Sequence, residues 1–305
     1  MTPQPSRRLV VQHPESVAPA AEAFSRLVHA PSRPGQRLAV WEDVSLDPAD
    51  VDALAQNLRV DAALVPSTAA LRDYRLLAFD MDSTLITIEC IDEIAGYAGC
   101  KAEVAAITEA AMRGEIGDYD ESLRRRVALL AGLDFSVLAK VFEDRLQLSP
   151  GALDLLAAAR RHGLKTLLVS GGFTYFTDRL KAELGLDWAY ANTLEVADGK
   201  LTGRVSGSTA AGARGAAAGT TPIVNAEEKA QALLSTCRLI GCRPAQAIAV
   251  GDGANDLKMM ALAGVSVAYH AKPIVRSQTT YAINHCGLDA ILNLLPADRE
   301  SRPRP

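Results

Sequence analysis

Leu76-Leu77-Ala78-Phe79-Asp80-Met81-Asp82-Ser83-Thr84-Leu85 is the stretch from which the rest of the chain can be read. Four apolar residues without helical periodicity deliver two aspartates into a turn, the pattern of a buried strand in a parallel sheet. In such sheets ligands bind beyond the carboxyl ends of the strands, so Asp80 and Asp82 are candidates for chemistry. Spaced i, i+2, they can serve as a divalent-ion cage or as a nucleophile beside a proton donor, since an aspartate can attack a phosphoryl group. The plainer alternative is a solvated Asp-Ser-Thr turn or helix cap. The context downstream decides between them.

From Glu89 to Leu148 the pattern is helical, with helices predicted at 91–97, 104–112, 122–131 and 135–142 and no convincing strand. A helical block between two strands predicts a lid, with 114–119 as a mobile turn within it. Strand and helix alternation then resumes: strands at 165–169, within 188–201 around Asp198-Gly199, and at 247–250, 265–268 and 281–283. Helices are predicted at 151–162, 174–184, 227–238, 257–263, near Pro273 and at 288–294.

Two further strand ends bring polar groups to the same sheet edge. Val169-Ser170-Gly171-Gly172 offers a hydroxyl and unobstructed backbone N–H groups suited to a phosphate. Gly251-Asp252-Gly253-Ala254-Asn255-Asp256 adds carboxylates able to complete an octahedral oxygen site for Mg2+. Lys229, at the start of a helix, supplies a fixed positive charge. Each signal alone has an ordinary reading, as a turn or as a solvated surface lysine.

Upstream, residues 8–72 predict strands at 9–11, 38–41 and 62–65 and helices at 17–28 and 48–58, a small α/β domain spanning 1–72. It has no Gly-rich phosphate loop and no ionisable cluster, so a folding, dimerisation or regulatory role is open to it. The boundary falls within 66–74. The Gly, Ala, Ser and Thr run at 206–221 predicts a flexible surface loop, and 296–305 a disordered tail.

A net charge of -4 over 305 residues, without a basic stripe, argues against nucleic acid as a partner. No apolar run is long enough to cross a bilayer, and Met1-Thr2-Pro3-Gln4-Pro5 lacks a secretory profile, so a cytoplasmic protein without membrane association is expected. The five cysteines are scattered and read as reduced core residues.

The order Asp-x-Asp-Ser-Thr, Ser-Gly-Gly, Lys, Gly-Asp-Gly-x-Asn-Asp resembles the haloacid dehalogenase superfamily of phosphatases. The resemblance implies a Rossmann-like doubly wound α/β sheet with a helical cap at about 88–148 inside a catalytic domain at 73–295. It implies Asp80 as nucleophile and Asp82 as general acid and base, with Ser170, Gly171 and Lys229 at the phosphoryl oxygens. Mg2+ would bind Asp80, the backbone carbonyl of Asp82, and Asp252, supported by Asp256.

Asp80 to Ile86 running on to Glu89, Ile91, Asp92 and Glu93, then Met112-Arg113-Gly114, Ser122-Leu123 and Arg126-Val127, are similar to the phosphoserine phosphatase family within it. That family implies O-phospho-L-serine as substrate, Glu89 at its amino group, Arg126 at its carboxylate, and Met112, Tyr119 and Asn255 as further substrate contacts. A free amino acid carries both charges, so one Glu and one Arg form a sensible recognition pair. Tyr119 stands where the family usually has Phe, and one extra residue lengthens the turn after Met112. The rival readings are another small phosphomonoester, phosphoryl transfer to an alcohol such as homoserine, or an amino-acid sensor with a vestigial site. Assembly as a homodimer is left open.

Overall fold

The computed structural model describes residues 6–113, 115–208 and 221–296. Of the tail expected to be disordered at 296–305, all but Pro296 lies outside these residues, as do all but the edges of the 206–221 loop.

Two sheets are formed. The first is antiparallel, with β1 (Arg7–Gln12), β2 (Leu38–Val44) and β3 (Asp61–Pro66) in the order β2-β1-β3. Helices Ala18–Ser25 and Pro48–Leu58 accompany it, and Leu9, Val11, Phe24, Trp41 and Val51 form its core. Asp47 caps the second helix by accepting from the Ala49 N–H at 2.9 Å, with Pro48 at the first helical position.

The second sheet is built from β4 (Leu76–Phe79), β5 (Lys165–Phe173), β6 (Trp188–Ala197), β7 (Lys200–Ser206), β8 (Ala247–Gly251), β9 (Val265–Tyr269) and β10 (Tyr281–Ile283). Its order is β10-β9-β8-β4-β5-β6-β7. All pairings are parallel except the hairpin β6-β7, whose turn is Asp198-Gly199. The doubly wound α/β architecture expected from the sequence is therefore present. Both faces of β4 are covered: Leu77 and Phe79 belong to one hydrophobic core, and Leu76 and Ala78 to another on the opposite face. Leu76, Leu77 and Phe79 are wholly buried, contributing roughly 1.5–3 kcal/mol each. That two-sided burial explains an apolar run that lacks alternation.

From β4 the chain proceeds to β5 and β6 on one side and later to β8, β9 and β10 on the other. The strand order thus reverses at β4 and β8, the place where open sheets bind ligands. Between β4 and β5 the helices Cys90–Ala98, Lys101–Met112, Tyr119–Ala128 and Val137–Asp144 form the inserted block. Its two connections to the core are tied together where Thr87 N–H donates to Gln147 O at 2.9 Å and Ser149 N–H to Leu85 O at 3.0 Å.

Three local details differ from the sequence expectation. Ser170-Gly171-Gly172 lies within β5, which runs on to Phe173 across an irregular register, because Asn192 holds the Gly171 carbonyl from β6. Tyr119, expected in a mobile turn with Gly114, opens a helix capped by Asp118, which accepts from Glu121 N–H at 2.7 Å; Gly114 lies outside the described residues. The helix expected at 288–294 begins as a 3-10 turn, Leu288–Ala290, before Ile291–Leu294.

Candidate active site

Asp80 leaves β4 with its N–H donating to Val250 O at 3.0 Å, which fixes it beside the end of β8. Its Oδ1 accepts from Met81 N–H at 2.7 Å and lies 2.8 Å from Lys229 Nζ. The chain then turns sharply, with Ser83 in the left-handed region at φ 53°. That turn lets Asp82 face the same site. Its Oδ1 accepts from Cys90 N–H at 2.9 Å, and Oδ2 lies 3.5 Å from Ser170 Oγ.

Lys229 occupies the first turn of helix Ala226–Ile240, whose N-cap Asn225 accepts from the Glu227 and Glu228 N–H groups at 3.0 and 3.2 Å. Its side chain is fully buried and bridges Asp80 at 2.8 Å and Asp256 at 2.7 Å. Burial works against the ammonium charge, but the Asp256 and Asp80 carboxylates outweigh it and raise the Lys229 pKa. Asp256, also fully buried, accepts from Gly253 N–H at 3.0 Å. Asp252 Oδ1 accepts from Thr84 Oγ1 at 3.2 Å.

Carboxylate oxygens of Asp80, Asp252 and Asp256 lie within 4.8 Å of one another. One lysine cannot neutralise three such groups, and Asp80 and Asp252 respond by holding their protons more tightly. Burial, and then the charge of Asp256, hold the Asp80 pKa well above the carboxylate range; the same two causes push Asp252 up to about 7. Burial also raises Asp82, against the opposing hydrogen bond from Cys90 N–H. A cluster of hard oxygen donors short of positive charge fits a divalent cation such as Mg2+.

These groups open on a cavity of about 1250 Å³ lined by Asp80, Asp82, Ser170, Gly171, Asp252 and Asn255. Among the described residues Lys229 and Asp256 are not part of its walls, and the Met112 side chain lies outside the described structure. Tyr119, Ser122 and Arg126 line it from one helix, their spacing of three and four residues placing them on one face. Glu89, in the same wall, accepts from Ser83 Oγ at 2.6 Å. Glu89 is exposed as a residue, yet desolvation of its carboxyl and the charge of Asp82 push it up to about 7, against Ser83 and Arg126.

Two glycines are required by close approach. A Cβ on Gly171 would lie 2.0 Å from the Tyr119 hydroxyl, and one on Gly172 would lie 2.7 Å from Asp82 Oδ2. The inserted helices therefore reach Ser170-Gly171-Gly172 through Tyr119. Asn192 was not foreseen. It is fully buried, donates to Gly171 O at 2.8 Å and accepts from Val224 N–H at 2.8 Å, joining Ser170-Gly171-Gly172 to the approach to Lys229. Its signal was a lone amide inside an apolar strand, Ala191-Asn192-Thr193.

The family model described as haloacid dehalogenase-like hydrolase matches residues 77–261. A phosphoserine phosphatase of Polaromonas sp. is 58% identical over 244 residues, 79% of this chain and 99% of its own. The solved structure of a probable phosphoserine phosphatase from Vibrio cholerae is 38% identical, covers 95% of this chain and 86% of its own, and superposes with TM-score 0.78. A phosphoserine phosphatase solved as a phospho-aspartyl intermediate analogue is 36% identical over 73% of this chain and 99% of its own, with TM-score 0.64. The chain belongs to the haloacid dehalogenase-like hydrolase family.

Proposed function

We propose that the chain is a phosphoserine phosphatase, which hydrolyses O-phospho-L-serine to L-serine and phosphate, the last step of L-serine biosynthesis. The observation that carries this reading is that Glu89 and Arg126 line the same cavity as Asp80 and Asp82. A carboxylate and a guanidinium beside a phosphoryl site match the three charges of a phosphorylated amino acid. The name of the Polaromonas protein and the phospho-aspartyl analogue of the solved relative support it.

In the mechanism we infer, an Asp80 carboxylate oxygen attacks phosphorus while the phosphorus bond to the serine oxygen breaks, and Asp82 gives that oxygen its proton. Cys90 N–H anchors one Asp82 oxygen and leaves the other directed at Ser170. Burial favours the protonated form that a general acid needs. Asp82 then takes a proton from the water that attacks the aspartyl phosphate, releasing phosphate and regenerating Asp80. Ser170 and the Gly171 backbone hold the phosphoryl oxygens, and Lys229 fixes Asp80 and Asp256. Mg2+ would be held by Asp80, the Asp82 carbonyl and Asp252, with Asp256 behind them; when bound it supplies positive charge to the phosphoryl oxygens.

We take residues 1–72 as an accessory domain and 73–295 as the catalytic domain, capped at about 88–148, in a cytoplasmic enzyme. Among the described residues no helix is long and apolar enough to cross a membrane. The test is phosphate release from O-phospho-L-serine with Mg2+ and with EDTA, beside phosphothreonine and p-nitrophenyl phosphate. Metal-dependent turnover strongly favouring phosphoserine is expected. Turnover of the generic ester alone would overturn the substrate assignment.

A further inference from the structure

The active-site cavity continues past the catalytic carboxylates to Ser149, Pro150, His285, Cys286 and Gly287. Its far wall is thus the segment that follows β10. What holds that segment is a side chain of the other sheet. Asp61, the first residue of β3 and 2% exposed, accepts from the backbone N–H groups of Asn284 at 2.6 Å, His285 at 3.1 Å and Cys286 at 2.9 Å. Three consecutive amides turned on one carboxylate form an anion-binding concavity, here filled from within the chain.

The bonds continue toward the cap. Leu288 N–H donates to Pro150 O at 2.7 Å, next to Ser149, whose N–H donates to Leu85 O at 3.0 Å. Ser149 and Pro150 lie where the inserted helices rejoin the core, opposite the Thr87 to Gln147 bond that closes the base of the insertion. His270 Nε2 lies 3.0 Å from Cys286 O, so the segment is held from the β9 side as well. A continuous chain of short contacts therefore links Asp61 to the hinge of the lid.

We propose that Asp61 is a positioning residue through which the N-terminal sheet sets the cap hinge and the far wall of the active-site cavity. Arg8, also on this sheet, makes its contacts elsewhere. It donates to Leu294 O at 2.7 Å, on the C-terminal helix, and to Ala69 O at 3.3 Å, whereas Gln12 pairs opposite Asp61 and reaches Ala290 O at 3.4 Å in the turn that follows the segment. Arg8 docks the sheet on the helix without touching the hinge, and so provides an internal control.

The test compares full-length Asp61→Ala, Asp61→Asn and Arg8→Met with the parent by amide hydrogen exchange and by steady-state kinetics. Asp61→Ala is expected to speed exchange at the 284–286 amides and also at Leu288 and Ser149, and to raise KM roughly two- to thirtyfold with a smaller change in kcat. Asp61→Asn, which keeps one acceptor oxygen, should fall between it and the parent. Arg8→Met should lower the melting temperature without moving KM or the Ser149 amide. Faster exchange confined to 284–286 with unchanged KM would overturn the proposal, as would equal effects of Asp61→Ala and Arg8→Met. Should Asp61→Ala not fold, Asp61→Asn decides by the same two readouts. Exchange requires no substrate, so failure here is distinct from failure of the phosphoserine assignment.

Discussion

Replacing Lys229 by Met keeps the volume of the side chain and removes the charge that binds the site together. Lys229 Nζ lies 2.8 Å from Asp80 and 2.7 Å from Asp256, and the lysine and Asp256 are both fully exluded from solvent. Breaking a buried pair by deleting one partner costs about 3–5 kcal/mol, because the remaining charge is stranded. At about 2–4 °C per kcal/mol the melting temperature should fall by roughly 6–20 °C. The pH dependence follows from the stranded carboxylates. Asp80 already has a raised pKa in the folded protein, and loss of the cation raises it further. A carboxyl whose folded pKa exceeds its unfolded value is stabilising when protonated and loses that contribution as pH rises through the folded pKa. The deficit of Lys229→Met should therefore be largest at pH 8 and shrink toward pH 5. Adding Asp256→Asn should recover part of it, since one of the stranded charges is gone. The assay is thermal melting in EDTA at both pH values. A melting temperature within about 2 °C of the parent at pH 8, or a deficit independent of pH, would refute the counter-ion role of Lys229.

Arg126→Ala should lower kcat/KM for O-phospho-L-serine by roughly tenfold to a hundredfold, the worth of a charge-assisted hydrogen bond, while sparing p-nitrophenyl phosphate; equal losses on both would remove it from carboxylate recognition. Gly171→Ala places a Cβ 2.0 Å from the Tyr119 hydroxyl and should cost roughly 1–3 kcal/mol in transition-state binding. Tyr119→Phe in that background should restore much of the loss, and no rescue would show that the clash is not the cause. Asp252 at about 7 must give up its proton to bind a metal, so the Mg2+ affinity followed by thermal shift should weaken as pH falls below 7, by about tenfold per unit for one displaced proton. A flat affinity between pH 5.5 and 8 would contradict that linkage.

The catalytic framework was readable because it depends on short-range sequence. A strand buried on both faces must be apolar throughout, and the polar residues at its end must then be doing something other than solvation. Asp80, Asp82, Ser170 and Asp252 all follow from that rule, and the structure places the three aspartates just beyond the carboxyl ends of β4 and β8, with Ser170 inside the longer β5. Groups whose role comes from long-range packing were not readable. Asn192 acts on Gly171 and on Val224, 21 and 32 positions away, and a lone Asn in a strand does not name its partners. Asp61 acts across 223–225 positions, and a lone aspartate beginning a short strand does not name its partners. Lys229 was placed at the phosphoryl oxygens by resemblance, whereas its burial beneath Asp80 and Asp256 emerges only when helix Ala226–Ile240 is packed on the sheet.

The claim on which the mechanism stands is a phosphoryl group carried by Asp80. It is tested most directly by mixing the Asp82→Asn variant with p-nitrophenyl phosphate and Mg2+, quenching in acid and mapping the modified peptide by mass spectrometry. The phenolate leaves without the proton that Asp82 would give a serine oxygen, so the variant keeps a working first half-reaction but lacks the base for the second, and the peptide containing Leu76 to Leu85 should gain the mass of one phosphoryl group on Asp80. Turnover of this ester by the parent enzyme with no phosphorylated peptide in the variant, or with the group on another residue, would contradict the account.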